Sequence, residues 1–420
     1  MNNVKKFAAV GGAVLLVACW PLALGQFAQT TIQDTVNKLD KKEVNVELVN
    51  YDRGYLSSIA QTKVTVVDPV LKQQLELDGL PTEFLLDHTI SHGLVSIATD
   101  TKPNDYSRLP IDIYSVTYIN GSTVLDMTSQ KMVFNFANDV NSKLEFSPAK
   151  LNADISRDGH IKFDYAFEGF DGHFSNGESL IVNSVSGSGN GQKKEGFWLG
   201  SQQITVGETN MVDAQGVSMV DVHKFDYEFN TEENAKDKTF SSHHKIVVDT
   251  VELVDDTLTN LGVDASFNAL DMEYFSQLLS VYQDKGHALN NDDIKLIMAS
   301  IDGLFEKGFS ISLNEMKASI DEGQFNSDWL LNFPKGDNKV TKNPMQVISS
   351  INGGANAFVS NEMVTQFPFI ESGLDNLIQQ GIMEKQADGY HLNGDIKGGN
   401  IVFKGGKTLP LFVVLAPLFL

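Results

Sequence analysis

The spacing of hydrophobic residues changes period several times along the chain, and those changes divide it. Phe7–Leu24 is an uncharged, mostly apolar run without period. In Gln26–Lys42, Ile32, Val36 and Leu39 recur at helical spacing among Thr, Gln, Asp and Lys, which predicts a short polar helix. From Glu43 onward the period is two. Val44, Val46 and Leu48 alternate with polar residues, as do Ile161, Phe163, Tyr165 and Phe167, and again Phe225, Tyr227 and Phe229. Successive side chains of a strand point to opposite faces, so each run has one apolar and one polar face. That is the pattern of an antiparallel sheet solvated on one side.

Turn residues punctuate these runs. Asn120-Gly121 separates Ile113–Ile119 from Thr123–Met127 and predicts a tight hairpin. Asp158-Gly159 does the same between Leu151–Ser156 and His160–Glu168, and Asp171-Gly172 and Asn176-Gly177 follow as turn signals. Ser186–Gly191, in which every second residue is glycine, reads as a flexible loop. Near Asp255 the texture changes. Leu270, Tyr274, Leu278 and Val281, then Ile294, Ile297, Ile301 and Leu304, have helical spacing on either side of a break at Gly286–Asn291. Strand texture returns at Phe309, Ile311 and Leu313, and Asn361–Gly381 reads as a helix capped by Ser360 or Asn361. Tyr390–Asp395 and Asn400–Phe403 suggest a hairpin, and the apolar tail Leu409–Leu420, too short to span a bilayer, closes the chain as a strand or helix.

The fold expected is a β-rich α+β one: a long twisted antiparallel sheet of hairpins with a helical hairpin and a C-terminal helix, preceded by an N-terminal membrane anchor. Its divisions fall at 1–25 for the anchor or signal segment, 26–42 for the juxtamembrane helix and 43–254 for the β-rich region. The helical hairpin occupies 255–305, and 306–420 is a strand-helix-strand region continuing the sheet.

At the N-terminus, Lys5 and Lys6 precede the apolar run, the layout of a positive cytoplasmic flank before a segment that enters a membrane. Three readings fit: an uncleaved transmembrane anchor, a cleaved signal peptide, and a lipoprotein in which Leu16-Val17-Ala18-Cys19 serves as lipobox and Cys19 is lipidated. All three put the remaining chain outside the cytoplasm. Cys19 is the one cysteine, so the exported part has neither a disulfide nor a thiolate metal site. With 54 acidic against 32 basic residues the net charge is −22. Such a surface repels nucleic acid and excludes it as a partner.

The motifs that carry chemistry are near-misses. Gly406-Lys407-Thr408 matches the end of a phosphate-binding loop, but Ile401 stands where its first glycine belongs. Asp264, Ser266 and Asn268 begin like a calcium loop, but Ala269 and Phe275 occupy the obligatory glycine and glutamate positions. His243 and His244, adjacent on a strand, point to opposite faces and cannot chelate one ion. His88 and His92 lie in a segment with strand texture. No nucleophile, metal or cofactor constellation is legible, so the chain is expected to be no enzyme and to need no cofactor.

Three segments, taken in order after the N-terminal run, carry a resemblance: Tyr51-Asp52-Arg53-Gly54-Tyr55-Leu56-Ser57-Ser58, Ile90-Ser91-His92-Gly93, and Gly399–Lys407. Together they resemble the YdgA-like family of bacterial envelope proteins, a family of unknown function. The chain departs from its pattern at Leu94, where proline is usual, and at Gly405-Gly406-Lys407, where Asn-Gly-Lys is usual. The resemblance implies an inner-membrane anchor and a periplasmic domain, and supplies no catalytic residues. Within the first two motifs, Tyr51, Arg53, Gly54, Ser57, Ser58, His92 and Gly93 read as structural, with Gly54 at a bulge or a positive φ.

Two functional expectations follow. One is a non-enzymatic binding or scaffold protein of the envelope, whose sheet edges accept another envelope protein. The other is lipid handling, of the AsmA-like type, in which a phospholipid lies in a hydrophobic groove formed by Phe134, Phe136, Phe163, Tyr165, Phe167, Phe225 and Tyr227.

Overall fold

The structure, a computed structural model, describes residues 44–77, 81–136, 139–194, 197–285, 289–337 and 339–415. The expected anchor, Cys19 and the juxtamembrane helix lie outside the described residues. Among the described residues no helix is long and apolar enough to cross a membrane. Among the described residues twenty-two strands belong to one antiparallel sheet, so the period-two reading is the one that organises them. Contacts divide it into two compact units: Met1–Ser188 with Met211–Val217, and Gly189–Asn210 with Ser218–Leu420.

The first unit is a meander. Strands β1 (Val44–Arg53), β2 (Ser57–Val66), β3 (Glu83–His92), β4 (Ser96–Pro103), β5 (Ile111–Tyr118) and β6 (Thr123–Ser129) pair in sequence order. Helix α1 (Pro69–Leu77) connects β2 to β3. Strands β7 (Met132–Phe136) and β8 (Asp139–Phe146) form a hairpin, and β9 (Ala149–Ile155) pairs with β6. Strand β10 (His160–His173) then pairs with β9 through its first half and β8 through its second. Both glycine hairpins are where the turn residues put them: Gly121 and Gly159 take φ of 87° and 86°, and Ser122 N–H donates to Asn120 Oδ1 at 2.9 Å. Asp171-Gly172 is not a turn, because it pairs with Glu145 and Leu144 inside β10.

Strands β11 (Ser179–Lys194) and β12 (Phe197–Val212) have residues in both units. The expected loop at Ser186–Gly191 lies within β11. Its glycines make room for aromatic side chains: a Cβ on Gly187 would sit 2.5 Å from the Tyr165 ring, and one on Gly191 2.8 Å from that of Trp198. Glycine within a strand marks this kind of close approach.

The second unit runs β13 (Ser218–Asn234), β14 (Thr239–Leu253), β15 (Thr257–Asp271), β16 (Phe309–Ile320), β17 (Gly323–Phe333) and β18 (Asn352–Ser360), each paired with the next. Helices α2 (Met272–Lys285) and α3 (Asn291–Lys307) form the helical hairpin. It begins later than the periodicity suggested, because Thr257–Asp271 is strand. After α4 (Pro344–Ser350) and β18, the expected long helix is broken into α5 (Asn361–Gln366), a 3-10 turn at Pro368–Ile370 and α6 (Glu371–Gln379). Pro368 has no N–H to continue α5, and Ser360 is its N-cap, accepting from Met363 N–H at 3.2 Å. Strands β19 (Met383–Lys385), β20 (Gly389–Lys397), β21 (Asn400–Phe403) and β22 (Thr408–Pro410) complete the sheet, with β20 between β18 on one side and β19 and β21 on the other. The described tail ends in helix α7 (Leu411–Leu415).

Fully buried apolar side chains concentrate in three places. Ala60, Ile90 and Ile97 form a small core in the first unit. Leu199, Phe240 and Leu270 of the sheet pack with Met272 and Leu304 of the helical hairpin, and Ile351, Tyr390, Ile396, Phe403 and Leu411 belong to the C-terminal core.

Candidate functional site

Two of the three resemblance segments meet in space. Strand β2 pairs with β3 so that Ser57 faces Ser91 and Ser58 faces Ile90. The turns at their ends are built alike: Gly54 N–H donates to Ser57 O at 2.8 Å, and Gly93 N–H to Ser96 O at 2.9 Å. A Cβ would meet those same carbonyls at 2.6 and 2.9 Å. Close approach, and not a positive φ, is therefore what requires glycine at 54. Tyr51 packs on the Ala60–Ile90–Ile97 core; Arg53, on the same face of β1 and opposite Ser58, is exposed at the strand end, as is Tyr55 in the turn.

Beneath these turns lies a buried polar pair. Ser58 and His92 are 2% and 7% exposed, and Ser58 Oγ lies 3.0 Å from His92 Nε2. His92 Nδ1 is 3.2 Å from the Tyr55 carbonyl. A carbonyl only accepts, so Nδ1 carries a proton and, in the neutral ring, Nε2 accepts from the serine hydroxyl. The pair ties the first hairpin to the third strand. Four residues back along the same face of β3, His88 sits between Thr62 Oγ1 at 2.8 Å and Thr101 Oγ1 at 2.7 Å.

Burial pushes the His88 pKa below its ordinary 6.5, against a smaller upward pull from Asp87. The folded state thus prefers neutral His88, and below about pH 6.5 the unfolded chain takes up the proton more readily. Stability is expected to fall as pH drops through that value and to level off below the folded-state pKa. Urea denaturation at about pH 7.5 and about pH 5.5 checks this: His88→Gln should lose part of the midpoint difference, and an unchanged difference would count against it.

At the other end of these strands, where residue 44 begins β1, the first unit has a cleft of about 700 Å³. Phe84, Pro103, Leu109, Met132 and Phe134 give it apolar walls, and Lys63, Arg108 and Lys131 line it as well. Each cation has a surface carboxylate: Lys63 with Glu83 at 3.1 Å, Arg108 with Asp105 at 3.8 Å, and Lys131 with Glu145 at 2.6 Å. Hydrogen bonds from Lys131 and then Lys143 hold the Glu145 carboxyl down to about 2. Strand β7, which contributes Met132 and Phe134, pairs with β8 in the described ladder.

The expected groove residues fall into two sets. Phe134 meets Phe146 edge-on at 5.7 Å, and Phe146 stacks on Phe167 at 6.2 Å, while Phe163 stacks on Tyr165 at 6.5 Å. Phe136 also lies on β7. All five expected groove residues of the first unit are half-buried, and Phe134, Phe163, Tyr165 and Phe167 each alternate with exposed neighbours. Phe225 and Tyr227 belong to the second unit, also half-buried, with Tyr227 Oη 2.8 Å from His244 Nδ1. The sequence signalled the aromatics by their alternation. It did not signal Phe84, Leu109, Arg108 or Lys131, which come from separate strands and a loop.

Among the described residues, one grouping of His and carboxylate side chains is close enough to hold a metal ion: Glu208, Asp221 and His223.

No curated protein and no solved structure matches the chain. A family model described as a bacterial protein of unknown function (DUF945) matches residues 4–411. The match spans nearly the whole chain, both units included, and the chain belongs to that bacterial family of unknown function.

Proposed function

We propose that this chain is a non-enzymatic envelope protein of the YdgA-like kind, tethered to the inner membrane through residues 1–25, with its bulk in the periplasm. Its ligand in this reading is a membrane phospholipid. The observation that carries it is the cleft of about 700 Å³ with its apolar walls and its three cations. Ligand sites of this kind run to several hundred cubic ångströms and combine apolar lining with a few polar groups. Phe134 links the cleft to the half-buried Phe146–Phe167 row, a path along which an acyl chain can lie. Lys63, Arg108 and Lys131 are paired with Glu83, Asp105 and Glu145, and Glu83 and Asp105 also line the cleft; in this reading an anionic headgroup takes the place of one or more of those carboxylates. The cleft lies at the end of β1 and β2 where Val44 pairs with Val66.

Photoactivatable phospholipid tests this on the full chain in vesicles. Label is expected on peptides containing Lys131–Asn135, and Phe134→Asp should reduce it about tenfold while circular dichroism stays unchanged. Label spread evenly over the chain, or unaffected by Phe134→Asp, would sink the lipid reading.

A second reading, as a protein scaffold, rests on the opposite end of the first unit. There Leu56, Leu94, Val95 and Ile119 are 61%, 67%, 56% and 54% exposed on three hairpin turns. The turns touch through His92 N–H to Leu56 O at 2.8 Å and Ile119 N–H to Val95 O at 3.0 Å. Apolar turn tips gathered in this way mark an interaction surface.

A further inference from the structure

Strand β13 carries Asp221 and His223 two residues apart, so both side chains leave the same face of the sheet. Glu252 on β14 stands directly opposite Asp221 in the register. Glu208 on β12 completes a group in which Glu208, Asp221 and His223 each bring a ligand atom within 4.8 Å of the others. His223 Nε2 lies 3.5 Å from Asp221 Oδ1 and 3.8 Å from Glu252 Oε1. All four residues belong to the second unit, and Glu208, Asp221 and His223 are each partly buried.

Two features separate this group from an ordinary acidic surface. Like charges placed directly opposite each other destabilise a sheet, and here Asp221 faces Glu252 with Glu208 alongside. The counter-charge that His223 supplies to Asp221 and Glu252 exists only while the imidazole is protonated. Second, Asp221 Oδ1 is closed to solvent and has no hydrogen-bond partner. The other oxygen of the same carboxylate, Oδ2, accepts from Asn210 Nδ2 at 3.1 Å. A desolvated carboxylate oxygen without a donor is costly. A cation held between Oδ1 and the imidazole nitrogen supplies the missing partner and relieves the repulsion in one step.

We propose that Glu208, Asp221 and His223 form a binding site for a first-row divalent cation, zinc above all, with Glu252 within reach as a further ligand. The donor set decides the class. Imidazole favours zinc and its neighbours, whereas calcium and magnesium prefer all-oxygen sites. Tetrahedral zinc with bonds of about 2.0–2.1 Å places its ligand atoms about 3.4 Å apart. The 3.5 Å between His223 and Asp221 is already close to that, and Glu208, whose ligand atom lies within 4.8 Å of both, reaches it by side-chain adjustment. Asn210 then fixes the orientation of the Asp221 carboxylate from behind, as outer partners of metal ligands do.

The test is zinc titration of the full chain, purified and stripped with a chelator, followed by calorimetry and by competition with a chromogenic zinc indicator. One equivalent is expected to bind, and magnesium at the same concentration should not displace it. His223→Ala and Asp221→Asn should each weaken binding tenfold or more, while His243→Ala, at an exposed histidine on β14, leaves it unchanged. Asp221→Asn is nearly isosteric and removes a like charge, so its fold is expected to persist. Zinc should also raise the melting temperature of the parent chain and not of this variant. No saturable binding, or affinity unchanged in both His223→Ala and Asp221→Asn, would overturn the site.

Discussion

Replacing Tyr390 with alanine is expected to lower the stability of the second unit by about 3–5 kcal/mol, the range for removing a large aromatic side chain from a core. Tyr390 is 1% exposed and belongs to the core that also contains Ile351, Ile396, Phe403 and Leu411. It stands opposite Val359 of β18 on one side of β20 and opposite Lys385 of β19 on the other. Its loss therefore opens a cavity at the point where three strands and the broken helix are held together. Lys385 Nζ donates to the tyrosine hydroxyl at 2.8 Å, so Tyr390→Phe separates the two contributions and should cost only about 1 kcal/mol. Urea denaturation reports both. A midpoint for Tyr390→Ala within error of Tyr390→Phe would mean that the ring is not a packing element.

Gly191→Val should be nearly as damaging, at about 3 kcal/mol. A Cβ at this position would stand 2.1 Å from the Leu199 carbonyl oxygen and 2.8 Å from the Trp198 ring. The ring can rotate, but the carbonyl is held in β12. The partner position is as tight: a Cβ on Gly200, whose φ is 129°, would meet Asn190 O at 2.1 Å. Two backbones meet here without side chains between them, and any branched residue must push them apart. Hydrogen exchange of β11 and β12 amides should rise sharply in the variant. Protection equal to the parent's would instead mean that the Ser186–Gly191 stretch tolerates side chains as a loop does.

Those same glycines show where the sequence was misleading. Alternating glycine and small polar residues signal a linker because, taken locally, nothing in them favours a strand. What makes them strand is the aromatic side chain of a neighbouring strand, Tyr165 against Gly187, and sequence spacing does not reveal such contacts. Strands with their own alternation, such as β10 and β13, were legible, and so were the hairpins at Asn120-Gly121 and Asp158-Gly159. The helix pair was found from its apolar stripe but begun too early, because Leu270 suits both a strand and the helical spacing that follows. Helix α1 gave no reading at all. At the candidate site, Phe134 was named from its alternation, whereas Lys63, Phe84 and Arg108 become neighbours only through the ladder of β2, β3 and β4. The Asp221–Glu252 apposition likewise depends on a register that no local pattern encodes.

The order of pairing has a consequence for how the chain reaches this state. Within each unit nearly every strand pairs with the one that precedes it, the departures being β6 with β9, β8 with β10, and β18 with β20. β6 with β9 waits for the β7–β8 hairpin, β8 with β10 for the single strand β9, and β18 with β20 for the short helices and β19 between them. Contacts between neighbours in sequence incur little loop-closure entropy and form early. A chain emerging from its N-terminus, whether from a ribosome or a translocation pore, can therefore add strands one at a time to an edge that already exists. At every stage the growing edge is open, so the hazard in its biogenesis is a second nascent chain pairing there before the next strand arrives.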